Sequence, residues 1–228
     1  MKKIILLLTF CAASFTAVQA QDGHIGERKS TDYPSGGSDS RNSGFGIKGG
    51  FNAADFRGDD KKNFGDNSNY KSFHAGVYAQ IGLNDKFSIQ PEFLYSRQGF
   101  KASNPGNTTM TSPYTTRLDY LQVPVLLVYN FLDNVSVHVG PQVSLLTKVK
   151  EGSVERKIND SQYNYNYSSL DYGLAAGLEA RVGPGRVGAR YTAGFADILK
   201  DPKSTVNQSI TNIKNGVFQV YVGIGFAQ

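Results

Sequence analysis

The stretch Val135-Ser136-Val137-His138-Val139-Gly140-Pro141-Gln142-Val143-Ser144-Leu145 has an apolar residue or proline at every odd position and a polar residue or glycine at every even one. Successive side chains of a strand point to opposite sides, so this reads as one β-strand with two chemically opposite faces. The end of the chain repeats it: Phe218, Val220, Val222, Ile224 and Phe226 alternate with Gln219, Tyr221, Gly223 and Gly225. The same period recurs over 73–83, 87–98, 170–182 and 187–197, and less cleanly in the glycine-rich 45–56 and in 117–131. In 117–131 both faces turn apolar near the end, and Pro124 predicts a bulge or irregular pairing. These blocks make eight strands, each near or above the roughly 9 to 11 residues that a tilted strand needs to cross a bilayer.

The connections alternate in length. Segments 57–71, 101–116, 149–169 and 198–214 are long and polar, whereas 84–86, 132–134 and 183–186 are tight turns. Four long loops at one end and three short turns at the other is the layout of an outer-membrane barrel, with turns in the periplasm and loops outside. The expected fold is therefore all-β: an eight-stranded antiparallel up-and-down transmembrane β-barrel over 44–228.

Ahead of the barrel, Met1-Lys2-Lys3, the apolar run 4–10 and Val18-Gln19-Ala20 form a secretory signal peptide over 1–20, with cleavage expected after Ala20. Residues 21–43 are rich in Ser, Gly and Asp and read as a flexible periplasmic tail. The 228-residue chain holds 25 Gly, 12% aromatic residues and one cysteine, Cys11, which lies in the leader. One cysteine excludes a disulfide scaffold within the chain and a zinc site built on several thiolates. Loss of Lys2 and Lys3 takes the formal charge from +5 to 5 − 2 = +3, without a clustered basic run, so nucleic acid is not an expected partner.

Alternation alone fits a second architecture, a soluble lipocalin-like carrier with an apolar cavity and a polar exterior. Glycine decides the facing. Gly46, Gly76, Gly177, Gly188 and Gly223 share the polar face with Lys48, Gln90, Glu92, Glu179, Arg181 and Arg190. Glycine weakens an exposed sheet face, whereas in a narrow lumen it makes room for large polar neighbours. The polar face is therefore expected inside, and the face carrying Phe73, Phe87, Tyr129, Tyr172 and Phe226 is expected against lipid.

Phe45-Gly46-Ile47-Lys48-Gly49-Gly50-Phe51-Asn52, the segment 87–99 with Gln90-Pro91-Glu92-Phe93, Tyr120-Leu121-Gln122-Val123-Pro124, Gly140-Pro141 and Arg190-Tyr191 together resemble the PorT-type outer-membrane β-barrel family of Bacteroidetes. That family is similar in size and layout to the OmpA and OmpX barrels. The resemblance runs from about Gly44 to the C-terminus and implies the fold and a place in the outer membrane. It also raises, as one hypothesis, a role in protein secretion, the link carried by the family's named member.

Within the lumen, Lys48, Glu92, Glu179, Arg181 and Arg190 form the expected charge cluster, with Glu92 and Glu179 paired to the cations because unpaired charges in so narrow a space are costly. Gln80 is placed at the same low level. The bland role for this cluster is an electrostatic plug, and the sharper one a gated ion path. His74 is expected near the outer rim within reach of Asp171 or Asp197, and His138 low in the lumen. No nucleophile motif accompanies either, so no enzyme and no cofactor are expected. Asp59, Asp60, Asp66 and Asn67 do not fit a calcium-loop spacing. Tyr163, Tyr165 and Tyr167 read either as a loop contact surface or as a prolongation of the sixth strand above the membrane.

The resulting expectation is a structural or partner-docking barrel in the cell envelope. Its partners are outer-membrane lipid or lipopolysaccharide and an envelope or secretion-system protein. A narrow pore and a lipid-active enzyme are the other classes.

Overall fold

The structure is a computed structural model that describes residues 43–58, 66–103, 114–158, 166–200 and 212–226. The leader, most of the expected tail, Asp59, Asp60, Tyr163 and Tyr165 lie outside these residues, as do the side chains of Asp66 and Asn67.

Eight strands build the sheet: β1 (Gly44–Arg57), β2 (Asp66–Gly82), β3 (Phe87–Ser103), β4 (Tyr114–Asn130), β5 (Val135–Glu151), β6 (Leu170–Val182), β7 (Gly185–Gly194) and β8 (Lys214–Phe226). Each pairs antiparallel with its neighbour in sequence, and β1 pairs with β8 from Phe45↔Phe226 to Arg57↔Lys214. The sheet thus closes on itself, each of the eight strands pairing on both sides among the described residues, the condition for a sheet to lie in hydrocarbon. Among the described residues no helix is long and apolar enough to span a membrane.

β2, β4 and β5 reach several residues beyond their alternating cores, to Asp66, Tyr114 and Glu151. In these extensions the apolar-outside pattern fades while backbone pairing continues, so periodicity underestimates their length. The pairing register continues across Pro124, from Pro91↔Val125 to Leu94↔Gln122 on one side and from Val123↔Val143 to Leu127↔Val139 on the other. The register shift between β4 and β5 lies instead at Asp119/Tyr120, where β5 carries one extra residue.

At one end the turns are short. Asn84 accepts hydrogen bonds at Oδ1 from the backbone N–H groups of Lys86 and Phe87, at 3.0 and 2.9 Å, and Gly183 takes the left-handed conformation the β6–β7 turn requires. At the other end Val154–Arg156 folds back on β5, and Asn166–Tyr167 pairs with Leu199–Lys200. Phe56, Phe100, Leu118, Tyr120, Leu146 and Ile213 pack with Tyr167 and Ile198 into an apolar cluster at this end.

The two faces are inverted relative to a soluble protein. Phe51, Val222, Ile224 and Leu178 point outward, with Val222 65% exposed, whereas Arg190 and Glu92 inside are 1% and 3% exposed. This arrangement excludes the lipocalin-like alternative, which needs an apolar interior.

Candidate functional site

The inward residues of β1, β3, β6 and β7 converge on two carboxylates. Glu92 of β3 accepts from both terminal nitrogens of Arg190 on β7, at 2.7 Å each, and from Lys48 Nζ on β1 at 2.9 Å. Gln90 Nε2 donates to the same carboxylate at 2.7 Å. The Arg190 pair is a two-pronged match of planar guanidinium and carboxylate, the strongest form of this contact. Arg190 Nε donates to His138 Nε2 at 3.2 Å, and Lys48 Nζ sits 3.8 Å above the Tyr221 ring.

Glu179 of β6 organises a second group toward the short-turn end. Arg186 donates to it at 2.9 Å, Arg181 Nε lies 3.5 Å away, and Tyr221 Oη donates to it at 3.1 Å. Arg186 also donates to Gln80 Oε1 at 2.8 Å, which ties β7 to β2. Tyr221 therefore links the two groups, lying beneath Lys48 and bonded to Glu179. Glycines open the space for the rings: a Cβ at Gly188 would sit 2.4 Å from Tyr221 Cζ, and one at Gly46 would sit 2.4 Å from Tyr78 Oη.

Five residues singled out from sequence thus share one buried network: Lys48, Glu92, Glu179, Arg181 and Arg190. Arg186 is a further member that the sequence reading leaves in a turn. It keeps the even-position phase of Gly188 and Arg190, and that phase was the available signal. Next toward the loops, Asn52 bonds Ser96, His74 and Gln219, at 3.1, 2.7 and 3.0 Å. His74 is consequently buried in the lumen with Asn52 as its partner, not at the rim beside Asp171 or Asp197. β2 runs on past His74 to Asp66, so His74 lies within the strand and not at its loop end. Beyond it a small chamber lined by Gln122, Gln142, Asp171, Thr192 and Asn215 has about 10 Å³ for the centre of a water-sized particle, room for about one water.

Tyr167 is 5% exposed and donates to Glu151 Oε1 at 2.6 Å, within the apolar cluster at the long-loop end. Neither expectation for it holds: it presents no contact surface and it pairs with Leu199, ahead of the start of β6. Among the described residues no three His, Cys, Asp or Glu side chains gather as a metal site would require.

This geometry joins strands across the lumen through groups that hold one another. Comparison with known proteins fits a barrel of this kind. The chain is similar in fold to Neisserial surface protein A, at 16% identity over 81% of this chain and 98% of that one, with a TM-score of 0.52. It is also similar to OprG of Pseudomonas aeruginosa (14% identity, 82% and 97% covered, TM-score 0.46) and to Ail of Yersinia pestis (15%, 81% and 99%, 0.44). No curated protein matches it by sequence. Residues 19–200 match the sequence profile described as the outer membrane protein beta-barrel domain, and with most of its length so matched the chain belongs to that family of outer-membrane β-barrels.

Proposed function

We propose that this protein is a non-conducting outer-membrane barrel that serves as a rigid platform for a partner in the cell envelope. After loss of residues 1–20 the short turns lie in the periplasm and the long loops outside. The observation that carries this reading is the bracing of opposite walls by Arg190, Glu92 and Lys48, which occupies the lumen at mid-height with paired charge. An eight-stranded barrel is just wide enough for its own side chains to fill. The apolar cluster at the long-loop end adds a second obstruction. With the interior used for stability, the surfaces left for function are the loops, the turns and the outer wall. The resemblance to PorT-type barrels supports an envelope protein engaged in secretion as the partner.

The test has two arms. Purified barrel in planar bilayers is expected to give no conductance steps, and regular steps would favour a narrow pore. In intact cells, crosslinking from the loops or turns is expected to trap a discrete envelope protein, with secretion impaired on deletion of the gene. Absence of both effects would overturn the platform reading.

A further inference from the structure

On the outer wall at the long-loop end, β3, β4 and β5 bring cations into adjacent rows. The register aligns Arg97 with Asp119 and Asp119 with Lys148, and one step further Arg117 with Lys150. Directly opposed side chains on one face of a sheet are neighbours. Asp119 fixes the two arginines: Arg117 Nε donates to it at 2.9 Å and Arg97 Nε at 3.1 Å, so two guanidinium groups are held beside one carboxylate. Lys150 forms no ion pair among the described residues, and Lys148 reaches only the exposed Glu155, at 2.6 Å. The cations of this patch outnumber its acids. The opposite wall differs: Arg57 is spent on the carbonyl of Gly194 at 2.7 Å, and Lys214 faces Asp197 at 3.2 Å.

Immediately below the patch lie Phe73 and Tyr95, with ring centroids 6.0 Å apart. Arg97 Cζ sits 4.8 Å over the Phe73 ring, and Arg97 donates toward Tyr95 Oη at 3.4 Å. Aromatic rings of this kind mark the level where hydrocarbon gives way to headgroups. Cations just beyond that level meet lipid phosphate, and guanidinium groups suit phosphate oxygens.

We infer that Arg97, Arg117, Lys148 and Lys150 form a docking site for the phosphate groups of lipopolysaccharide in the outer leaflet, with Asp119 as the positioning residue. The inference rests on the proposed orientation, with the long loops outside.

Refolded barrel in phospholipid nanodiscs is titrated with purified lipopolysaccharide, with its dephosphorylated form and with phosphatidylglycerol. Wild type is expected to prefer the phosphorylated glycolipid to both. Lys148→Gln with Lys150→Gln leaves both arginine pairs of Asp119 intact and is expected to weaken binding about twenty-fivefold, from about fivefold per cation at a membrane surface. Equal binding of phosphorylated and dephosphorylated forms, an unchanged double variant, or equal binding of phosphatidylglycerol would each overturn the site. Orientation is read separately by labelling Ser153→Cys on intact cells. Labelling only after the envelope is opened overturns the orientation, and with it the site's access to the outer leaflet, even where nanodisc binding persists.

Discussion

Arg190 and Glu92 meet head-on inside the barrel, both terminal guanidinium nitrogens 2.7 Å from the two carboxylate oxygens, although 98 residues separate them in sequence. Lys48 completes the contact from a third strand at 2.9 Å. Three strands are thereby fixed at mid-lumen by one carboxylate. Glu92 balances only one of the two cations it holds, and Glu179 supplies further negative charge nearby through the ring of Tyr221.

Removing Glu92 therefore leaves two buried cations without their carboxylate. Glu92→Ala is expected to lower unfolding stability by about 3–5 kcal/mol, the scale for breaking a buried pair from one side. Replacing Lys48, Glu92 and Arg190 together by Met removes all three charges and is expected to cost less than the single change. Urea titration of the refolded barrel, followed by gel mobility without boiling, measures both. A triple variant less stable than Glu92→Ala would show that the unpaired cations are not the main cost of the single change.

The fold was legible because a barrel wall with lipid on one side and a charged lumen on the other imposes strict alternation, as in Val135 to Leu145. Four of the five charged lumen residues also lie in clean alternating blocks, so their common facing could be read residue by residue. Arg186 was missed because it directly follows a Gly-Pro-Gly turn, where period has no preceding residues to set its phase. His74 was misplaced because height along a strand depends on where the strand ends, and β2 runs on to Asp66 after its alternation stops. The apolar closure was not legible at all. Tyr167 comes from one long loop segment and Ile198 and Ile213 from the two ends of another, and no local pattern brings them to Phe56 and Leu118.

Gly188 offers a steric test of the lumen packing. A methyl group there would collide with the Tyr221 ring, 2.4 Å from Cζ. Gly188→Ala is expected to cost about 1–3 kcal/mol as overpacking. In the Tyr221→Ala background the ring contact is gone and only the 2.8 Å approach to the Leu178 carbonyl oxygen remains, so the same substitution is expected to cost less. A double-mutant cycle on unfolding free energies measures the coupling; purely additive costs would mean that the collision is relieved elsewhere.

The outer face offers an independent test of membrane insertion. Val222 lies midway between Phe218 and Phe226 on β8 and is 65% exposed. Val222→Arg is expected to destabilise the inserted barrel by about 2–4 kcal/mol, the scale for arginine near a bilayer midplane. Its folding yield in lipid vesicles should fall accordingly. An outward position outside the hydrocarbon, such as Lys71, should accept the same residue with little change. Similar folding of Val222→Arg and Lys71→Arg would place β8 outside the lipid.

Two separate obstructions predict how conductance responds to substitution. The apolar cluster packs at the long-loop end, where Tyr167 is held by its 2.6 Å bond to Glu151, and the Glu92 network crosses the middle; under the proposed function each blocks the lumen. Tyr167→Phe leaves the Glu151 oxygen without this donor and is expected to cost about 1–3 kcal/mol locally, read as faster proteolytic nicking of the loops. It should produce no current, because the Glu92 network below is untouched. Glu92→Ala alone should likewise stay silent beneath an intact apolar closure. Only a variant that opens both, such as Glu92→Ala with Ile213→Ala and Tyr167→Ala, is expected to pass ions in planar bilayers. Current through Tyr167→Phe alone would mean that the charged network does not close the lumen, and the interior would then be a gated path.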